Sequence, residues 1–220
     1  LPARGGRFYD WENNGMPEAA ARLLHEGKMQ LFCADSIDAE SLLAGHETPR
    51  RRAEMQEKYF VYLTAELAPR IAALNAPEAK KPPLIWCAGV DTGAYQAVQC
   101  RLRRPGVFAG AVGLSGLYDM SRFLGSCEDD LVLRSSPLAA LRKNGICNKN
   151  LLAKAEENTL LLCVGQGGYE GDALADTQAL ADTLKETGLP CHLEVWGGDV
   201  SHDWYWWGKE FGMFAERLFG

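Results

Sequence analysis

The sequence predicts an α/β fold: a doubly wound, mostly parallel sheet flanked by helices. Three observations carry that prediction. Five apolar runs of about six residues recur along the chain, helix-like patterns fill the intervals between them, and glycines bracket the passage from the second run into the helix after it. Near-continuous hydrophobic runs suit strands covered on both faces. Strands that alternate with helices imply parallel crossover units.

The elements follow in order. Pro17–Glu26 reads as a helix with proline in its first turn, where the missing N–H costs nothing. Met29–Ala34 is the first apolar run, and Arg52–Leu74 is a long amphipathic helix leading to the second, Pro83–Ala88. Asp91–Arg104 is a helix that starts directly after this strand, and Ala109–Ser115 is the third run. The stretch 120–150 is long for a loop, so it is expected to hold short helices or to form a lid or cap excursion. Thr159–Val164 is the fourth run, Asp172–Gly188 a helix ended by glycine, Cys191–Trp196 the fifth run, and Trp206–Phe219 the closing helix. With 220 residues, one domain spanning 1–220 is expected.

Composition excludes several classes. The chain is 47% hydrophobic and 24% charged, with mean hydropathy −0.20, values of a globular protein and not of a disordered tail or fibre. No apolar run approaches the roughly 18 residues of a spanning helix, so no membrane partner is expected. Net charge is −6 from 23 basic and 29 acidic residues, which argues against nucleic-acid or anionic-membrane partners. Arg101, Arg103 and Arg104, like the run from Pro49 to Arg52, read as solvated helix faces. The seven cysteines, at 33, 87, 100, 127, 147, 163 and 191, include no CxxC pair and no zinc-like spacing, so neither a metal nor a cofactor is implied. Cys33, Cys87 and Cys163 lie in apolar runs and read as reduced core thiols, which points to a cytoplasmic protein. The chain opens on Leu1, which leaves an upstream address segment open. A small-molecule ligand or ester-like substrate is the expected partner, and self-association stays open.

Leu84 to Ala97 carries the functional argument. A hydrophobic strand runs into Gly89-Val-Asp91-Thr-Gly93 and straight into a helix. This is the frame G-x-Nu-x-G, in which glycines let strand and helix close around one residue held exposed in a strained turn. Serine usually occupies that centre; here it is Asp91. His202 lies on the loop after the last run, where a base would stand.

Over nearly its whole length the chain resembles the putative-esterase (esterase D-like) family of α/β-hydrolases. The resemblance rests on Gly5-Gly-Arg-Phe-Tyr-Asp-Trp-Glu, Gly89-Val-Asp-Thr-Gly-Ala-Tyr, Leu114-Ser-Gly-Leu-Tyr-Asp, Val164-Gly-Gln-Gly and His202-Asp-Trp-Tyr-Trp-Trp. Family members carry G-x-S-M-G-A-Y at the second of these. The resemblance implies that Asp91 replaces the nucleophile and that His202 matches the base. It implies one oxyanion donor at the Thr92 N–H and a second from the loop Ala3–Gly6, at Gly5 or Gly6. The acid would follow the fourth run, with Glu170 the first choice and Asp172 the second; either also suits the start of the next helix. Family members have strands before the oxyanion loop, where this chain begins, so upstream residues, a partner strand or another repair is expected.

Three neighbours compete for attention. Ser115 lies in Gly113-Leu-Ser-Gly, but Leu117 takes the second glycine position; Ser201 adjoins His202. Either is a weak candidate for a replacement nucleophile. Trp204 reads as a pocket wall or as packing of the last helix.

An aspartate at the elbow changes the chemistry. Histidine activates a serine by taking its proton during attack on a carbonyl carbon. A carboxylate has no such proton at neutral pH, and its attack on an ester would give an anhydride, which is uphill. Two readings follow. In one, serine-esterase activity is lost or altered. In the other, Asp91 attacks a saturated carbon, as in haloalkane or epoxide hydrolysis, and His202 activates the water that releases the product.

Overall fold

The computed structural model describes residues 1–75, 83–125, 129–143, 159–189 and 191–220. Four parallel strands lie side by side in chain order: β1 (Trp86–Val90), β2 (Gly110–Leu114), β3 (Leu160–Val164) and β4 (His192–Val195). Val90 is level with Leu114, Leu114 with Cys163, and Val164 with Val195. The loops after all four strands therefore emerge at one edge, where open α/β sheets place their sites.

Helices connect and cover the strands. Before β1 lie α1 (Asp10–Asn13), α2 (Met16–Ala19), α3 (Ala21–His25), α4 (Pro49–Val61) and α5 (Ala68–Asn75), the last two joined by a π-helical stretch, Tyr62–Leu67. Then come α6 (Thr92–Arg103), α7 (Ser121–Leu124), α8 (Asp130–Arg134), α9 (Pro137–Arg142), α10 (Gly171–Glu186) and α11 (Trp204–Phe219). The helix expected over Pro17–Glu26 is split at Ala20, whose φ of −118° leaves the helical region. The stretch 120–150 supplies α7–α9, of which α7 and α8 pack on α4.

Strand residues alternate between two cores. Leu161 and Cys163 join Val112, Leu114 and Phe214 on the face covered by α11, α2 and α3. Leu160, Leu162 and Val164 join Ala111, Val98 and Leu180 on the face covered by α6 and α10. Burial on both faces explains why these strands read as continuous apolar runs. Helix α6 is central: every residue from Thr92 to Leu102 is buried.

Two expectations need correction. Met29–Ala34 forms no ladder with any described strand. It lines a cavity of about 490 Å³ that Trp86, Cys87 and Ala88 also line, so it faces β1 across a gap and not through hydrogen bonds. Arg101 is no solvated helix residue. It is 4% exposed, and its guanidinium donates to the Pro105 and Phe108 carbonyls and to Thr159 Oγ1. Among the described residues, no helix is long and apolar enough to cross a membrane.

Candidate active site

β1 ends at Val90 and α6 begins at Thr92, which leaves Asp91 alone to turn the chain. Its φ of 52° and ψ of −119° lie where L-residues seldom go, a strain of about 1–3 kcal/mol. Both flanking glycines are needed for close approach. A Cβ on Gly89 would stand 2.1 Å from the Gly93 carbonyl oxygen, and one on Gly93 would stand 2.3 Å from that of Pro2. The turn is pinned by the Asp91 N–H, which donates to the Leu114 carbonyl at 3.1 Å.

The Asp91 side chain points inward and is buried. Its Oδ2 accepts the Arg4 backbone N–H at 3.2 Å and lies 3.6 Å from Arg4 Nε. Its Oδ1 is buried without a hydrogen-bond partner among the described residues. Arg4, and not Gly5 or Gly6, therefore turns its N–H to Asp91. The Gly5 N–H donates to Asp38 Oδ2 at 3.1 Å and the Gly6 N–H to the Ala3 carbonyl at 2.8 Å, so both are engaged elsewhere. Thr92 follows Asp91 directly, and its hydroxyl also donates to Asp38 Oδ2, at 3.0 Å.

His202 lies between β4 and α11, on a loop tied to the loop after β3. The Gly167 N–H donates to the Val200 carbonyl at 2.8 Å, and the His202 N–H donates to the Gly168 carbonyl at 2.9 Å. This brings His202 Nδ1 to 3.1 Å from Glu170 Oε2, while Nε2 lies 4.0 Å from Asp91 Oδ2. The first is a hydrogen bond; the second is an ion-pair distance. Burial opposes the imidazolium, but the Asp91 and Glu170 carboxylates outweigh it and raise the His202 pKa to about 9. The ring is therefore charged at neutral pH.

The structure thus brings Asp91, His202 and Glu170 together. Asp172 is elsewhere: its exposed carboxylate pairs with Arg122 at 2.9 Å. Ser115 is fully buried, and its hydroxyl donates to Glu170 Oε1 at 2.6 Å while accepting the Trp207 indole N–H at 2.9 Å. The Trp207 ring meets the His202 ring edge to face, with centroids 4.9 Å apart. Trp204 packs on Trp207 in the same manner at 5.1 Å. Ser201 shares the His202 loop, but its hydroxyl makes no hydrogen bond among the described residues.

Sequence reasoning missed Asp38 and Glu210; Trp207 stands in the run His202-Asp-Trp-Tyr-Trp-Trp with no role assigned, and the loop Ala3–Gly6 contains Arg4 but reads at Gly5 or Gly6. Glu210 is one helical turn beyond Trp207 and fully buried; neither oxygen makes a hydrogen bond of normal geometry among the described residues, and the neighbouring Cys163 thiol partly offsets its burial. Burial pushes its carboxyl up to about 8. Among the described residues, the non-glycine positions with positive φ are Asp91, Ser115 and Tyr169, and all three border this site. No described cluster of three His, Cys, Asp or Glu side chains is arranged to hold a metal ion.

The comparisons with known proteins agree with this geometry at the level of fold. The chain superposes on the structure of Mycobacterium tuberculosis MPT51 (FbpC1) with TM-score 0.67 and 17% identity, covering 100% of this chain and 87% of that one. A ferulic acid esterase gives TM-score 0.64 at 15% identity, with 100% and 84% covered. The S-formylglutathione hydrolase FrmB of Staphylococcus aureus gives 0.60 at 17% identity, with 100% and 79% covered. No curated protein sequence matches the chain. The model of the family described as Putative esterase matches residues 6–216. A match that leaves out only the first five and last four residues shows the family, and the chain belongs to the Putative esterase family.

Proposed function

We propose that this protein is an esterase-family α/β-hydrolase in which Asp91 holds the nucleophile position and serine-type ester hydrolysis is lost. One observation carries the reading: Asp91 Oδ2 accepts the Arg4 N–H at 3.2 Å. A carboxylate oxygen stands where a loop donor would otherwise meet the oxygen of a tetrahedral intermediate. The same carboxylate helps to keep His202 protonated, and an imidazolium cannot take a proton from a nucleophile. Asp91 thereby removes the hydroxyl, fills the donor site and silences the base. The fold remains as a body for binding a small molecule. Unpaired thiols at Cys33, Cys87, Cys100, Cys163 and Cys191 support a reducing, cytoplasmic setting.

The test is hydrolysis of p-nitrophenyl acetate. The wild-type protein should stay near the uncatalysed rate. Asp91→Ser should exceed it by at least about tenfold, since restoring a hydroxyl recruits His202 as general base. A robust wild-type rate that Asp91→Ala abolishes would overturn the proposal.

A second reading has one observation in its favour. Asp91 Oδ1 is unbonded while Oδ2 is held, the division of labour that attack on a saturated carbon would use. Oδ1 would bond to carbon as halide or epoxide oxygen leaves, and water would then attack the carboxyl carbon of the enzyme ester. Turnover in ¹⁸O-water would leave label in the Asp91 carboxylate. No label across a haloalkane and epoxide panel removes this reading.

A further inference from the structure

We infer that Ser115 and Trp207 are positioning residues: a one-way chain of hydrogen bonds, Trp207 to Ser115 to Glu170, aims the Glu170 carboxylate at His202. The inference rests on the proposed pairing of Glu170 with His202, and it assigns a role to a serine that is not a nucleophile.

Direction follows from donor chemistry. An indole N–H donates and never accepts, so the 2.9 Å contact makes Ser115 Oγ an acceptor on that side. The only proton of the Ser115 hydroxyl is then left for Glu170 Oε1, at 2.6 Å. Glu170 Oε2 meets His202 Nδ1 at 3.1 Å. With both oxygens held from different sides, the carboxylate plane cannot turn away from the imidazole. Trp207 braces both ends, since the ring that donates to Ser115 also lies edge to face against His202.

The backbone supplies an independent observation. Ser115 stands at φ 47°, and Tyr169, immediately before Glu170, stands at φ 63°. Neither is glycine, so each conformation is strained and has to be held by its surroundings. For Ser115 that hold includes its N–H, which donates to the Cys163 carbonyl at 2.8 Å. Strain thus lies at Ser115 and at the residue before Glu170, the two partners of the 2.6 Å bond. Burial of Ser115 and the commitment of its proton to Glu170 also explain why it makes no attack of its own.

The experiment is an NMR titration of the imidazoles, four in the chain, with His202 assigned by its loss in His202→Gln. Ser115→Ala should lower the His202 midpoint by about one pH unit, because a carboxylate free to turn away stabilises the imidazolium less. It should also weaken the ¹⁵N signature of an Nδ1-protonated ring above the midpoint. Trp207→Phe keeps an aromatic ring beside His202 while removing the N–H and part of the indole's volume; it should shift the midpoint the same way by a smaller amount. Ser201→Ala, which removes a nearby hydroxyl outside the chain, should shift nothing. Urea unfolding of each variant reads stability separately, and Trp207→Phe stands alone as a test if Ser115→Ala does not fold. A His202 midpoint and tautomer unchanged in the folded variants would overturn the inference, whatever their stability. An inert Asp91→Ser protein would instead sink the proposed function and leave this titration intact.

Discussion

A carboxylate only 2% exposed has to be answered by donors, and Asp38 receives two on one oxygen, from the Gly5 N–H at 3.1 Å and the Thr92 hydroxyl at 3.0 Å. Burial raises its pKa, and these donors pull it back. Asp38 therefore fastens the Arg4–Gly5 loop to the first residue of α6, and through that loop it sets the N–H that meets Asp91. Asp38→Ala would strand the buried Thr92 hydroxyl and release the Gly5 N–H from its anchor, a loss of about 1–3 kcal/mol. Asp38→Asn keeps an acceptor oxygen and should lose clearly less. Urea denaturation of the two variants decides; equal losses would show that charge or volume, and not the acceptor, is what matters. The residues legible in the sequence were Asp91, Glu170 and His202, because each follows an apolar run within one loop. Asp38 meets Gly5 across 33 residues and Thr92 across 54, so no local pattern announces it. Gly5 and Gly6 misled for a related reason: a glycine marks close backbone approach, but not which neighbouring N–H stays free.

The strand–turn–helix element depends on a neighbour that its own sequence does not contain. The Leu1 backbone nitrogen donates to the Ala88 carbonyl at 2.7 Å, and the Leu1 carbonyl accepts from the Trp11 indole at 3.0 Å. This lays the Leu1–Pro2 backbone against the first turn of α6. A methyl on Gly93 would meet the Pro2 and Leu1 carbonyl oxygens at 2.3 and 2.5 Å, both backbone atoms that cannot swing aside. Gly93→Ala should therefore cost at least about 2 kcal/mol and raise amide exchange from Ala3 to Gly6. Gly106→Ala, whose methyl would meet nothing within 4 Å, should change stability by less than about 0.5 kcal/mol. Equal effects of the two would refute the packing argument. Strands β2 and β3 were legible because burial on both faces leaves a continuous apolar run, as in Leu160–Val164. Such a run reports burial and not pairing. Met29–Ala34 has the hydrophobicity but faces β1 across a cavity, and nothing in its composition separates the two cases. The long helix over Arg52–Leu74 holds its course but passes through the π-helical Tyr62–Leu67, a change of local hydrogen bonding that a 3.6-residue pattern does not register.

At the scale of the whole molecule, two buried titrations act on stability in the same direction. Burial raises Glu210 from its ordinary 4.5 to about 8, so between these values the folded protein holds a proton that the unfolded chain has released. Stability then falls as pH rises across that interval and levels off above about 8. His202 is raised from 6.5 to about 9 by its carboxylate neighbours, against its burial. Its contribution is complete below pH 6.5 and is lost as pH climbs to about 9. The two windows overlap between pH 6.5 and about 8, where the folded state holds up to two more protons than the unfolded one. Linkage then allows a slope of up to about 2.7 kcal/mol per pH unit, and charge relaxation around the buried groups will make it shallower. Urea midpoints measured from pH 5 to 10 should therefore decline through neutrality. Glu210→Gln should flatten the segment below pH 8, and His202→Gln should flatten the segment above it. The comparison is one of slopes and not of absolute stabilities, because the glutamine amide inherits the same pocket without hydrogen-bond partners. A wild-type midpoint that is level or rising from pH 6 to 9 would overturn the retention of both protons on folding, and a Glu210→Gln slope equal to the wild type would overturn that of Glu210 alone.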